Sequence, residues 1–277
     1  MSESAEWVTV KVDPAGEAEA VLAALFDAGA QGVQELGGLY VTHVEGERAA
    51  NELCAAALAA NPNARVETAP LPDVDWTEQW KHGIRVQSLG TLSVAPPWLA
   101  ESLDPATTIV IDPGMAFGTG EHATTRGVVR LMQQVIEKGD RIADLGAGSA
   151  VLAIAAAKLG AARVAAIEID PDAIGNAEEN VRRNGVADVV RVIEGDAAVL
   201  LPLVAPIDII LANIISSVLI DLLPSLGLAL ADGGHVILSG MLFTERDDMI
   251  RAFEDGGWRL QAEDHEDAWW SATIVRR

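Results

Sequence analysis

Residues 7–12, WVTVKV, alternate apolar and polar side chains, the two-residue period of a half-buried strand. From Pro14, the stretch PAGEAEAVLAALFDAGA changes to a helical period and predicts an amphipathic helix that ends at Gly29. GVQEL (32–36) and LYVTHV (39–44) flank Gly37-Gly38, a two-residue hairpin signal. GERAANELCAAALAAN reads as a second helix, closed by Asn61-Pro62, and ARVETA (64–69) as a last strand. The resulting order, βαββαβ over residues 1–69, predicts a small α+β, ferredoxin-like domain. It holds no catalytic constellation, so we read it as a substrate-recognition or docking domain.

Pro70 and Pro72 open a stretch, residues 70–98, that reads as a linker and closes at Pro96-Pro97. Within it Trp76 and Trp80 lie four residues apart, on one face if the segment is helical, and fit an anchor between domains better than a ligand cage. Residues 99–277 form the second predicted domain. RIADLG, RVAAIEI, VVRVIEG, IDIILAN and HVILSG are short apolar runs of the kind buried in parallel sheets. Helical stretches separate them: SAVLAIAAAKLG, PDAIGNAEENVRRNG, a short one near AAVLLP, and SSVLIDLLPSLGLALADGG. FTERDDMIRAFEDGG adds another helix, and WRLQAED with WWSATIVRR suggests a closing antiparallel pair. This alternation predicts an α/β doubly wound sheet.

Composition narrows the class. Half of the 277 residues are hydrophobic, enough for a substantial core, yet no run of about 18 apolar residues predicts a membrane span. MSESAEWVTV lacks the basic-then-apolar order of a signal peptide. Cys54 is the single cysteine, which excludes an internal disulfide and a cysteine-based metal cluster. A cytoplasmic enzyme is the expectation. The 41 acidic residues against 19 basic ones give a formal charge of −22, which repels phosphate backbones and favours encounter with a basic protein. No nucleic-acid or membrane partner is therefore expected.

The chemistry is sought in the loops beyond the strand ends, where open α/β sheets bind ligands. In DLGAGSAVLAI, Gly146 and Gly148 allow a tight turn and a close backbone approach. Val151 stands where a dinucleotide fingerprint needs its third glycine, so a pyrophosphate site is disfavoured. Glu168, at the end of the next strand, is placed to accept hydrogen bonds from both hydroxyls of a ribose. Asp170 reads as a helix cap before Pro171. Asp196 in EGDAA could meet a nucleobase amino group or cap a helix. Asn213, in LANIISS, puts a side-chain amide at an apolar strand end and is the candidate reactive-centre residue. A nucleoside ligand without pyrophosphate, a GxG loop and a ribose carboxylate together suggest S-adenosylmethionine.

DPGMAFGTGEHATT (112–125), DLGAGSAVLAIAAAKLGA, EIDPDAIGNAEENVRRNG and LANII, in this order, resemble the PrmA family, whose members methylate protein eleven of the large ribosomal subunit. The DWTEQWK and APPW segments and the tail SGML, WW and IVRR are similar too, so the resemblance covers most of the chain. It implies a class I methyltransferase with a seven-stranded doubly wound sheet, preceded by the ferredoxin-like recognition domain. It also implies cofactor contacts at Thr125, Gly146, Glu168 and Asn213, a basic large-subunit ribosomal protein as partner, and no metal. Phe117, Gly118 and Thr119 of the AFGTG turn are expected to fold over the methionine end of the cofactor, with Thr124 and Thr125 meeting its carboxylate at the helix start. The sequence departs from the pattern at Ala147 and Ala150, where Cys and Gly are common, and at the residues IISS after Asn213.

Asn213 and a neighbouring backbone carbonyl are expected to hold a neutral amine against the methyl donor. His122 and Glu121 are candidate bases that we read as loop-ordering residues. Two other functions fit the same residues: a protein-lysine methyltransferase acting on another protein, such as the electron-transfer flavoprotein β subunit, and a silent cofactor-binding module docked on a ribosomal partner.

Overall fold

The computed structural model describes residues 7–30, 32–70, 84–112, 120 and 122–277. Contacts divide the chain into two compact units, Met1–Gly83 and Ile84–Arg277. The first runs β1 (Trp7–Asp13), α1 (Ala18–Asp27), β2 (Gln34–Leu36), β3 (Leu39–Glu45), α2 (Gly46–Ala60) and β4 (Arg65–Pro70). Its strands make one antiparallel sheet in the order β2-β3-β1-β4. The alternation that predicts β1 also packs it. Val8, Val10 and Val12 join Val21 and Leu25 of α1 and Leu53 and Ala57 of α2 in one buried cluster, while Lys11 between them is exposed.

The second unit begins with β5 (Gln87–Leu89), β6 (Leu92–Ala95), the short α3 (Pro97–Ala100) and β7 (Thr108–Val110). The chain continues through α4 (Ala123–Val135), β8 (Arg141–Leu145), α5 (Val151–Leu159), β9 (Arg163–Glu168), α6 (Pro171–Arg183) and β10 (Val190–Glu194). It ends with α7 (Ala197–Val204), β11 (Ile207–Asn213), α8 (Ser216–Ala229), β12 (Leu230–Leu242), α9 (Arg246–Asp255), β13 (Trp258–Glu266) and β14 (Trp269–Arg276). Strands β8 to β14 form a seven-stranded sheet in the order β10-β9-β8-β11-β12-β14-β13. Only β14 runs antiparallel to its neighbours. Apolar side chains on both faces of the central strands explain the three layers. Ile142, Val164, Leu211 and Ile237 pack against α4, α5 and α6. Leu145, Ile167, Ile210 and Leu238 pack against α7, α8 and α9.

Two stretches differ from expectation. Residues 87–98, expected within a linker, belong to the second unit: β5 and β6 form a hairpin, and β6 pairs in parallel with β7. Gln133 of α4 holds that hairpin, donating to Leu89 O at 2.8 Å and accepting from Thr91 N at 2.7 Å. Thr108–Val110 is thus the third strand of this small sheet. In the second, the helix expected to run to Gly234 stops at Ala229, and 230–234 start β12 through a bulge between the pairs Ile207↔Leu230 and Ile209↔His235. Asp232, Gly233 and Gly234 favour that irregular strand over continued helix. Trp76 and Trp80 lie outside the described residues. Among the described residues, no helix is long and apolar enough to cross a membrane, and no group of three or more His, Cys, Asp or Glu could hold a metal.

Candidate active site

The singled-out residues that are described meet along the carboxyl edge of the parallel strands. Gly146 and Gly148 follow β8, Glu168 ends β9, Asp196 follows β10 and Asn213 ends β11. Thr125 is brought to the same edge by Ser239, the register partner of Asn213, whose hydroxyl donates to Thr124 O at 3.3 Å. Phe117, Gly118, Thr119 and Glu121 lie outside the described residues.

The turn after β8 is built on left-handed backbone, with φ of 67° at Gly146, 52° at Gly148 and 64° at Ala150. Glycine adopts this conformation freely, whereas alanine is strained there, so Ala150 marks the departure from the family pattern. The turn survives it: Ala150 N donates to Ala147 O at 2.7 Å, and the Gly146 and Ala147 amides both reach Ile167 O, at 2.9 and 3.1 Å. Glu168 closes the turn from the other side. Its Oε2 accepts from Gly148 N at 2.8 Å, and its Oε1 from Ile169 N and Asp170 N at 2.8 and 2.9 Å. A carboxylate has about four acceptor directions, so one remains on Oε2 beyond these three amides. Asp170 caps α6 through Asp172 N at 2.9 Å, as expected. Asp196 caps α7 through Ala198 N at 2.8 Å, which leaves its second oxygen for another partner.

Beneath the turn lies Asp144, 1 % exposed. Its Oδ2 accepts from Ala153 N at 2.9 Å, and its Oδ1 has no partner among the described residues. Burial pushes this carboxyl up to about 7; the Ala153 amide works against the rise and the charge of Glu168 adds to it. The folded value exceeds the unfolded one, near ~4. The stability held by the neutral acid is therefore complete below pH ~4 and is lost as pH rises through about 7. Asp144→Asn is expected to gain thermal stability over the parent as pH rises from 5 to 7 and to keep a constant advantage above that. Melting curves across this range check it, and a pH-independent difference would mean that Asp144 does not titrate there.

Helix α4 is fixed at both ends of its first turns. His122 is its N-cap, with Nδ1 2.8 Å from Thr124 Oγ1 and accepting from Thr124 N at 3.4 Å. The His122 ring meets Trp269 edge-on at 4.8 Å. The N-cap of α4 is thus the histidine, one residue before Ala123 and two before Thr124. Arg130 Nε donates to Asp264 Oδ2 at 2.8 Å, Arg130 also reaches Glu266 at 2.7 Å, and Arg126 Nε donates to Glu266 Oε1 at 2.8 Å. These charge-assisted bonds tie α4 to β13 and pull Glu266 below the usual carboxylate range. Thr125, held by this frame, is 1 % exposed and its Oγ1 has no partner among the described residues.

Asn213 is half-buried at the end of β11 and makes no side-chain hydrogen bond with the described residues. It does not tie two loops together. The next residue, Ile214, is wedged: its amide donates to Ser239 O at 3.0 Å and its backbone lies against Gly240.

Asn180 of α6 and Asn184, the residue that caps its carboxyl end, were missed in the sequence. Asn180, fully buried, donates to Ser149 O at 3.1 Å and accepts from Asp112 N at 3.1 Å. Asn184 exchanges bonds with both backbone groups of Val110, at 2.8 and 2.7 Å. Together they set the start of the 112–125 segment relative to the glycine turn. Their spacing in ENVRRN was the available signal.

Strands in this order, a glycine turn after β8 and a carboxylate ending β9 define a class I methyltransferase, and the donor set suits S-adenosylmethionine. The buried, unpartnered Thr125 hydroxyl and the Asn213 amide are groups a ligand can satisfy. The chain belongs to the ribosomal protein L11 methyltransferase (PrmA) family, whose model matches residues 6–277. The protein named ribosomal protein L11 methyltransferase in Chloroflexus aurantiacus is 37% identical over 240 residues, covering 78% of this chain and 73% of the relative. The protein of that name in Symbiobacterium thermophilum is 39% identical over 213 residues, covering 73% and 66%. The crystal structure of ribosomal protein L11 methylase from Lactobacillus delbrueckii subsp. bulgaricus superposes with a TM-score of 0.64 at 32% identity, covering 70% of this chain and 100% of that one. The chain is an S-adenosylmethionine-dependent protein methyltransferase.

Proposed function

We propose that this enzyme methylates lysine and/or N-terminal amines of the large-subunit ribosomal protein after which its relatives are named. The observation that carries the reading is the family match across residues 6–277. The charge of −22 suits a basic substrate, and a cytoplasmic location follows from a ribosomal one. The βαββαβ unit is the recognition or docking module in this reading.

When bound, S-adenosylmethionine supplies the electrophilic methyl group. Thr125 and the amides of the first turn of α4 hold its carboxylate end. Gly146 and Gly148 admit it close to the backbone, and the free acceptor direction of Glu168 meets the ribose. Asp196 offers its second oxygen to the base. Phe117, Gly118 and Thr119 cover the methionine end. Methyl transfer is an in-line displacement, so the enzyme aligns the amine and excludes water. A lysine amine titrates near ~10.4 and an α-amine near ~8, so the neutral form must be selected. Asn213 accepts an amine N–H through its side-chain oxygen, with a neighbouring carbonyl as second acceptor, and the lone pair is left facing the methyl group. His122 acts in this reading as the capping residue of α4, with its Nδ1 against Thr124.

The purified enzyme, S-adenosylmethionine and either the ribosomal protein or the electron-transfer flavoprotein β subunit test this directly by mass spectrometry. Added methyl groups on the ribosomal protein alone are expected. Methylation of the flavoprotein subunit alone would move the substrate elsewhere, and cofactor binding with no transfer would indicate a silent module.

A further inference from the structure

At the amino-terminal edge of the large sheet, about 15 Å from the cofactor loops by strand length, lies a groove of about 660 Å³. It is formed by the starts of β8, β9, β10 and β11 and by the end of α7. Helix α7 has only eight residues, so the sheet face that it covers near the catalytic edge lies bare toward the strand starts. On that face stand Arg141, Arg163 and Arg191. Arg141 and Arg163 are direct cross-strand partners, and Arg191 lies opposite Ala165, two residues beyond Arg163. Ile193, Val204 and Ile207 add an apolar lining.

Like charges placed side by side on adjacent strands are destabilising without a counter-charge. Arg141 has one, Asp208 at 3.2 Å. The side chains of Arg163 and Arg191 make no ion pair or hydrogen bond with any described residue, in a chain with 41 acidic side chains. Asp188 is the carboxylate among the lining residues, and it lies beyond ion-pair distance of both. Guanidinium forks match phosphate oxygens in bidentate geometry. The volume falls within the roughly 300–1,000 Å³ of small-molecule sites, too large for an inorganic anion alone. No aromatic side chain lines the groove to stack an extruded base, and the net charge repels a long polyanion.

We propose that this groove binds a phosphate-bearing small molecule of nucleotide size, with its phosphates on Arg163 and Arg191 and its body on the apolar lining. The site is separate from methyl transfer and stands whether or not the substrate reading above holds.

Thermal melting and calorimetry of the full chain test it with the catalytic pocket filled by S-adenosylhomocysteine. The probes are inorganic pyrophosphate, guanosine diphosphate and a 12-nucleotide RNA, against sodium chloride of equal ionic strength. Guanosine diphosphate is expected to bind more tightly than pyrophosphate, because only it uses the apolar lining. Arg163→Gln/Arg191→Gln is expected to weaken guanosine diphosphate at least tenfold while the S-adenosylhomocysteine shift is unchanged. If the double variant loses that shift as well, the single Arg191→Gln variant makes the comparison, with weakening again expected. Three results would overturn the proposal: no nucleotide binding beyond the salt effect, affinity unchanged in the variants, or tighter binding of the RNA than of the nucleotide.

Discussion

Asn213→Ala is expected to lower kcat by at least about 100-fold, the scale on which a misplaced reacting group slows an aligned displacement. Affinity for S-adenosylmethionine should change far less. The asymmetry follows from the site. Thr125, Gly146, Gly148 and Glu168 all lie on other segments of the chain, so the cofactor keeps most of its contacts when Asn213 is truncated. The amine, by contrast, loses the acceptor that selects its neutral form and directs its lone pair. The Asn213 side chain makes no hydrogen bond with the described residues, so its truncation removes no internal support and folding should survive. Single-turnover rates and calorimetric cofactor titrations, made on the same preparation, separate the two effects. Unchanged turnover would remove Asn213 from the mechanism. A loss confined to cofactor affinity would make it a cofactor ligand only.

The positions of the candidate residues at the strand ends were legible in the sequence, and the contacts that frame them were not. Gly146, Glu168 and Asn213 could be read because each stands at the end of an apolar strand run, where the doubly wound sheet puts its ligand. Asp170 was legible as a cap because Pro171 follows it. His122 was recognised as an ordering residue, but its particular partner, Trp269, is 147 positions away and no local pattern announces it. The same holds for Arg126 and Arg130 reaching Glu266 and Asp264, and for Asn180 joining Ser149 to Asp112. These contacts depend on helix-on-sheet packing, which hydrophobic periodicity indicates only as a face and never as a partner. The hairpin at 87–95 was hidden for another reason: prolines and glycines punctuate a linker and a tight turn alike, and only pairing with β7 distinguishes them.

Gly240→Ala is expected to cost about 2–5 kcal/mol, from left-handed strain of about 1–2 kcal/mol and an overlap term of about 1–3 kcal/mol. At about 2–4 °C per kcal/mol for a domain of this size, the melting point should fall by roughly 4–20 °C. Gly240 has φ of 88°, and an added Cβ would lie 2.4 Å from Ile214 O, 2.7 Å from its carbonyl carbon and 3.0 Å from its nitrogen. A rigid backbone cannot turn aside as a side chain can, so Ile214 itself must move. That residue follows Asn213 and presses its Cδ1 to within 3.0 Å of where a Gly146 Cβ would stand. Displacing it therefore disturbs the amine acceptor and the cofactor turn together, and cofactor-induced stabilisation should shrink along with stability. Gly233→Ala is the matched control, since Gly233 has φ of 77° in the same strand but nothing within 4 Å of its added Cβ. The control carries the left-handed strain without the overlap, so its loss should stay near 1–2 kcal/mol and its cofactor response should be normal. Equal losses in the two variants would mean that the backbone of Ile214 does not lie against Gly240. A larger loss in Gly240→Ala with an intact cofactor response would separate the wedge from the site it borders.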